Sequence, residues 1–314
     1  MNMETRKPFQ TTNRTTLVML WYHDGAKFEA GGIASMAISE RGLLACFAHP
    51  DDETFGCGGT LARSAAEGGP VDLVCATRGE VGEISDPALA TPETLPQVRE
   101  EEIRCACRAL GVRELHLLGY RDSGMAGTPD NDHPRALCRA DSQEVVGRLV
   151  ALIRRLRPAV VITFDPHGAY GHPDHMAIHR FASEAFHAAA DPQRFPEHPG
   201  PHRPARLYYV GIPRSRIRAM IEYAAEAGSP IDFGNIPLEE AGIPDEAITT
   251  EVSVAPYAKA KMQAMQCHRT QMGPVSPFSQ LPPQALEEFM GREFFIRAYP
   301  PVQPGSPREE WIFP

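Results

Sequence analysis

The chain of 314 residues has no stretch approaching the ~18 consecutive apolar residues of a membrane helix. Its longest early apolar run, Leu17–Tyr22, is too short for a secretory signal even with Arg6 and Lys7 ahead of it. The expectation is a cytoplasmic protein with no membrane partner. Positive charge is also in deficit, with 31 basic residues against 40 acidic and a net charge of −9. That balance repels phosphate backbones, so nucleic acid is not an expected partner. Lysine is scarce, supplying 4 of the 31 basic residues. Arginine fills even positions that read as plain surface, such as Arg154 and Arg155. No C-x-x-C pair occurs among the seven cysteines, an odd number scattered along the chain with several inside apolar runs. Buried reduced thiols are therefore expected in place of a disulfide framework or a cysteine-held zinc.

Several nucleotide and nucleophile motifs are missing as well. There is no G-x-x-x-x-G-K-[ST] loop and no G-x-S-x-G elbow. The run from Gly56 to Leu61 begins like a dinucleotide loop but carries Leu61 where the last glycine belongs, which excludes that cofactor. No internal repeat is present. What remains is an apolar fraction of 42% and a charged fraction of 23%, enough to bury a real core in one large or two modest domains.

From Leu43 onward, short β-rich runs alternate with longer helical ones. Strands are predicted at Leu43–Ala48, Val71–Ala76, Glu114–Leu118, Ala159–Phe164 and Arg206–Val210. Helices are predicted near Gly59–Glu67, Val98–Leu110, Ser142–Arg157 and Pro173–Ala189. Nearly continuous apolar strands separated by helices predict an α/β fold, a Rossmann-like three-layer sandwich around a mostly parallel sheet. Its core spans 41–212. Residues 1–40 read as an N-terminal extension, and 213–300 as a smaller C-terminal α+β part completing the fold and the acceptor pocket. Within that part, Gly211–Pro244 reads as a helical insertion or flap, Glu251–Val254 and Phe294–Ala298 as strands, and Ala258–Arg269 as a helix. The tail 301–314 is Pro-rich and reads as irregular.

Ligands of such sheets bind beyond the carboxyl ends of the strands. Two segments fall there. Ala48-His49-Pro50-Asp51-Asp52-Glu53 follows the first strand, and Asp165 to His175, ending Gly171-His172-Pro173-Asp174-His175, follows the fourth. Alone, either would read as an Asp turn capping a helix beside a packing histidine. Together they offer two imidazoles and a carboxylate, the donor set of a catalytic zinc with an open position. Spacing leaves the ligands open: His49 with Asp51 resembles half of an iron site, His49 with Asp52 a zinc pair, and His172, His175 and His179 all lie at helical spacing.

The two motifs in this order resemble the LmbE-like, or PIG-L, family of zinc-dependent N-deacetylases, from about Leu43 to Phe186 and more loosely to Ala298. Within it, Gly79-Glu80-Val81-Gly82-Glu83, Arg121-Asp122-Ser123-Gly124-Met125 and Tyr170 are most similar to the deacetylases and amidases of mycothiol metabolism. The resemblance implies one Zn2+ per chain on His49, Asp52 and His175, a site that Fe2+, Co2+ or Mn2+ would also suit. It implies Asp51 as general base, His172 as electrophilic and acid partner, Asp174 as the residue orienting His172 and favouring its imidazolium, and Tyr170 as a donor to the oxyanion. Glu83, Arg99 and Asp122 match substrate-contacting positions. The implied reaction removes the N-acetyl group from an N-acetylglucosamine-type conjugate, in low-molecular-weight thiol biosynthesis, by attack of a zinc-activated water. An amidase for larger thiol conjugates is the alternative within the family. Outside it stand a non-haem iron oxygenase, which the βα alternation disfavours, and a non-catalytic sugar- or zinc-binding protein, which the intact motifs disfavour. The small-molecule substrate is the one partner implied, and the surface segments outside the core leave room for a homo-oligomer.

Overall fold

A computed structural model describes residues 41–314 apart from 199, 227–241, 274–285, 287–288 and 304. The N-terminal extension and the middle of Gly211–Pro244 thus lie outside the described residues. The sheet among the described residues has seven strands in the order β3-β2-β1-β4-β5-β7-β6. They are β1 (Leu43–Phe47), β2 (Val71–Cys75), β3 (Glu114–Leu117), β4 (Val160–Phe164), β5 (Arg206–Val210), β6 (Thr250–Ser253) and β7 (Arg292–Tyr299). β1 to β5 are parallel, while β7 runs antiparallel to both β5 and β6. β1, β2 and β4 are buried at every residue, as strands covered on both faces must be.

The helices are α1 (Asp52–Ala66), α2 (Leu95–Leu110), α3 (Ser142–Leu156), α4 (the single turn Gly168–Gly171), α5 (Pro173–Ala188), α6 (Arg214–Glu226) and α7 (Ala258–Cys267). α1, α2 and α7 pack on one another and α3 packs on α5, giving the two helical layers. Local chemistry fixes their ends. Asp141 accepts the Glu144 N–H at 2.9 Å to start α3, and α2 stops at Gly111 with φ 73°. The C-terminal strands extend the same sheet and do not build a second one. No described helix is long and apolar enough to cross a membrane.

Three sequence readings need correction. α1 begins at Asp52, seven residues before the predicted Gly59, and kinks at Cys57. Of the glycines that obscured it, Gly59 is needed, because a Cβ there would sit 2.6 Å from Val254. The freed N–H groups of Gly59 and Thr60 each donate at 2.7 Å to Glu293 on β7, which also pairs with buried Lys261. Cys105 and Cys267 are joined by a disulfide, since packing α2 on α7 brings their Cα atoms to 5.7 Å; the other five cysteines are free. Arg154 is buried, and its guanidinium donates to carbonyls from Ala188 to His198. The tail is irregular as expected but anchored: Ile312 and Phe313 join the core, and Arg63 lies 3.6 Å over the Trp311 ring.

Candidate active site

The chain leaves β1 to one side for β2 and β3 and to the other for β4, so the β1/β4 junction is the topological switch point of the sheet. Both motifs lie there. After β1 the chain turns directly into α1, and Asp52, the first helical residue, accepts the N–H groups of Ala48 and His49 at 3.2 and 2.7 Å. After β4, the α4 turn leads to His172, and Pro173 sets the first turn of α5. His175 then lies one turn inside that helix.

Three side chains converge, Asp52 through both of its carboxylate oxygens. His49 Nδ1 lies 3.1 Å from His175 Nε2 and 3.6 Å from Asp52 Oδ2, while Asp52 Oδ1 lies 3.3 Å from His175 Nε2. The edge of a tetrahedron built on zinc–nitrogen and zinc–oxygen bonds is about 3.3 Å, so the triangle fits such an ion. The outer atoms of both imidazoles are held as metal ligands require. His175 Nδ1 meets the Gly168 carbonyl at 3.2 Å, and its ring stacks on Phe164 with centroids 3.9 Å apart. Gly168 has φ +63°, and a Cβ there would come within 2.7 Å of His175. His49 Nε2 faces Asp174 Oδ2 at 3.2 Å and Asp122 Oδ1 at 3.5 Å. Burial works against a charged His49, yet Asp122, Asp174 and Asp52 raise it well above its ordinary value.

Asp51 stands beside the triangle with its carboxylate turned to Arg99 Nη2 at 3.2 Å. Burial raises it to about 6, with Arg99 opposing and Asp52 reinforcing the shift. Arg99 is buried at 3% exposure and also donates to the Pro50 carbonyl at 2.6 Å. It is therefore no solvated helix charge but an anchor of the Asp51 turn. Asp51 itself has φ 117°, rare for a residue with a side chain. Its N–H donates to Glu53 Oε2 at 3.0 Å.

His172 packs against both other imidazoles, with ring centroids 4.6 Å from His49 and 5.0 Å from His175. Burial, then the charges of His49 and His175, lower it to about 4. Here the geometry departs from the reading of Asp174. The Asp174 N–H donates to His172 Nδ1 at 3.2 Å, but its carboxylate serves His49 and is pinned by the Ser123 N–H at 2.8 Å and the Ser123 hydroxyl. The charge of Asp174 still raises His172, but burial and the charges of His49 and His175 outweigh it. Tyr170 is half exposed, edge-on to His175 at 5.1 Å. Asp122 is buried beside His49; burial would raise it, but the His49 hydrogen bond and charge and the Gly124 N–H hold it well below the carboxylate range. Glu83 is exposed and tied to the C-terminal segment through its carbonyl, which accepts from Gln271 at 2.9 Å. His179 is a packing residue, 2.8 Å from the Phe164 carbonyl. Sequence reasoning missed Ser123, Glu53 and His268. The first two lie inside the quoted motifs, but His268 reaches Glu53 across 215 positions and carries no local signal.

Fold and site together define an α/β protein with a cluster of buried imidazoles and carboxylates at the switch point of its sheet. The family model described as PIG-L, GlcNAc-PI de-N-acetylase, matches residues 44–186. A protein of Geodermatophilus obscurus named 1D-myo-inositol 2-acetamido-2-deoxy-alpha-D-glucopyranoside deacetylase is 42% identical over 270 residues, 81% of this chain and 91% of the relative. Among solved structures, a conserved protein of Thermus thermophilus matches with TM-score 0.53 and 29% identity over 84% of this chain and 98% of that one. N,N'-diacetylchitobiose deacetylase of Pyrococcus horikoshii shares the fold, with TM-score 0.55 and 21% identity over 84% of each chain. The chain belongs to the PIG-L family.

Proposed function

We propose that this protein is a zinc-dependent amide hydrolase that removes the acetyl group from 1D-myo-inositol 2-acetamido-2-deoxy-α-D-glucopyranoside or a close N-acetylglucosamine conjugate, in the cytoplasm, releasing acetate and free amine. The observation that carries the proposal is a half-buried carboxylate, Asp51, held by Arg99 next to the His49–Asp52–His175 triangle without belonging to it. The name of the 42% identical relative supports the substrate class.

His49, Asp52 and His175 would hold the zinc, which would supply Lewis acidity toward the acetyl oxygen and a more acidic water. Asp51, raised to about 6, is ionised at neutral pH and takes the proton of the attacking water. With Nδ1 accepting from the Asp174 N–H, neutral His172 carries its proton on Nε2 and donates from there to the developing oxyanion. The protonated Asp51 then delivers its proton to the departing amine. Tyr170, half exposed at the rim, closes onto the oxyanion when substrate is bound, and Glu83, Arg99 and Asp122 line or brace the sugar side.

The test is amine release from that glycoside by protein purified without a metal-affinity tag, with metal quantified per chain. Amine release that a chelator abolishes and zinc restores is expected. Protein that binds no metal, or that is inert with zinc on a panel of N-acetylated amino sugars, contradicts the proposal.

A further inference from the structure

Glu53 and His268 form a buried pair whose geometric link to the reaction is the backbone of Asp51. Both are 0% exposed. Glu53 Oε1 receives His268 Nε2 at 2.8 Å and the Thr54 hydroxyl at 2.5 Å, while Oε2 receives the Asp51 N–H at 3.0 Å. His268 Nδ1 is buried with no hydrogen-bond partner among the described residues, so the hydrogen bonding of the ring is committed to Glu53. A packing histidine gains nothing from that arrangement, because an orphaned buried polar atom is costly.

The placement of His268 is itself fixed on both sides. It caps the C-terminus of α7. The preceding Cys267 is bonded to Cys105 of α2, and the following Thr270 donates from its N–H and hydroxyl to Glu102 of α2 at 2.8 and 2.7 Å. That helix also carries Arg99, which holds the Asp51 carboxylate. Thus Asp51 is gripped at its carboxylate by Arg99 of α2, and at its N–H by Glu53, which the end of α7 holds in turn. Its φ of 117° needs such support, since an isolated aspartate relaxes to negative φ.

We propose that Glu53 and His268 are positioning residues that hold Asp51 in the backbone conformation aiming its carboxylate at the reacting water. The proposal rests on Asp51 acting as general base. A displacement of this kind by about 1 Å costs up to a hundredfold in rate.

The experiment compares full-length, zinc-loaded wild type with His268→Ala, His268→Gln and Glu53→Gln, measuring zinc per chain, kcat and KM for amine release, and crystal structures of the variants. His268→Ala is expected to lose about tenfold to a hundredfold in kcat with KM and zinc content unchanged, and to show Asp51 turned away from its wild-type position while His49, Asp52 and His175 stay. His268→Gln, whose amide donates to Glu53 in place of the ring, is expected to restore most of the loss. Wild-type kcat in His268→Ala, an unmoved Asp51, or equal losses in the alanine and glutamine variants overturns the proposal. If His268→Ala does not fold, Glu53→Gln decides, because its amide cannot accept from Asp51 and His268 together: reduced kcat at full zinc supports the pair and wild-type kcat overturns it. A wild type inert toward the glycoside overturns the functional reading instead, and the position of Asp51 in the variant structures still tests the pair.

Discussion

At the scale of single residues, the informative side chain is Asp174. The sequence paired it with its neighbour His172, and the structure pairs its carboxylate with His49 across the switch point. A carboxylate behind a metal-ligating imidazole orients the ring and raises its basicity, and losing such a partner weakens metal affinity by about tenfold to a hundredfold. Asp174→Asn is therefore expected to bind zinc more weakly by that factor in a chelator competition; unchanged affinity with only kcat reduced would return Asp174 to the role of orienting His172. His268 gives a second expectation. Burial opposes its charge, but the Glu53 carboxylate outweighs that and raises it above the ordinary 6.5. A raised histidine stabilises the fold fully below its unfolded pKa and loses that contribution as pH rises through the folded one. The stability advantage of wild type over His268→Gln, read from urea midpoints, should thus be larger near about pH 6 than near about pH 9. A difference that is flat or grows with pH contradicts it.

At the scale of elements, much was legible because it depends on local periodicity and end chemistry. β1, β2, β4 and β5, and the helices α2, α3 and α5, sit where their apolar runs and caps put them. What was not legible depends on partners far along the chain. The glycines at 56, 58 and 59 argue against helix locally, yet α1 runs through them because Glu293, more than 230 residues away, satisfies the N–H groups freed at the Cys57 kink. Nothing near Arg154 announces that it collects the carbonyls ending α5 and the loop after it. Six carbonyl acceptors around one guanidinium make this a demanding position, and an ammonium has neither its fork nor its number of donors. Arg154→Met is expected to cost about 2–4 kcal/mol, with Arg154→Lys recovering less than half, read from urea midpoints at unchanged slope. A loss under about 0.5 kcal/mol for the methionine variant would show that water replaces the guanidinium freely.

At the scale of the whole molecule, the alternation of strands and helices predicts a parallel sheet but not its order, and the observed order 3-2-1-4-5 explains why two motifs more than 100 residues apart meet at one end of the sheet. Spacing left the candidate ligands open and the family resemblance chose among them; the structure brings the three chosen side chains together. The support of Asp51 was only partly readable: Arg99 was singled out for substrate, but its grip on the Asp51 turn, like that of the His268 end of α7, arises from the packing of α2 against α7. One measurement tests this account most directly: zinc per chain and amine release for Asp51→Asn beside wild type, both purified without a metal-affinity tag. The account predicts about one zinc in each and a loss of roughly a thousandfold or more in kcat for the variant, the scale of removing a general base that also carries the proton to the amine. A variant that has lost its zinc would make Asp51 a ligand, and one that turns over like wild type would remove it from the chemistry; either result contradicts the account.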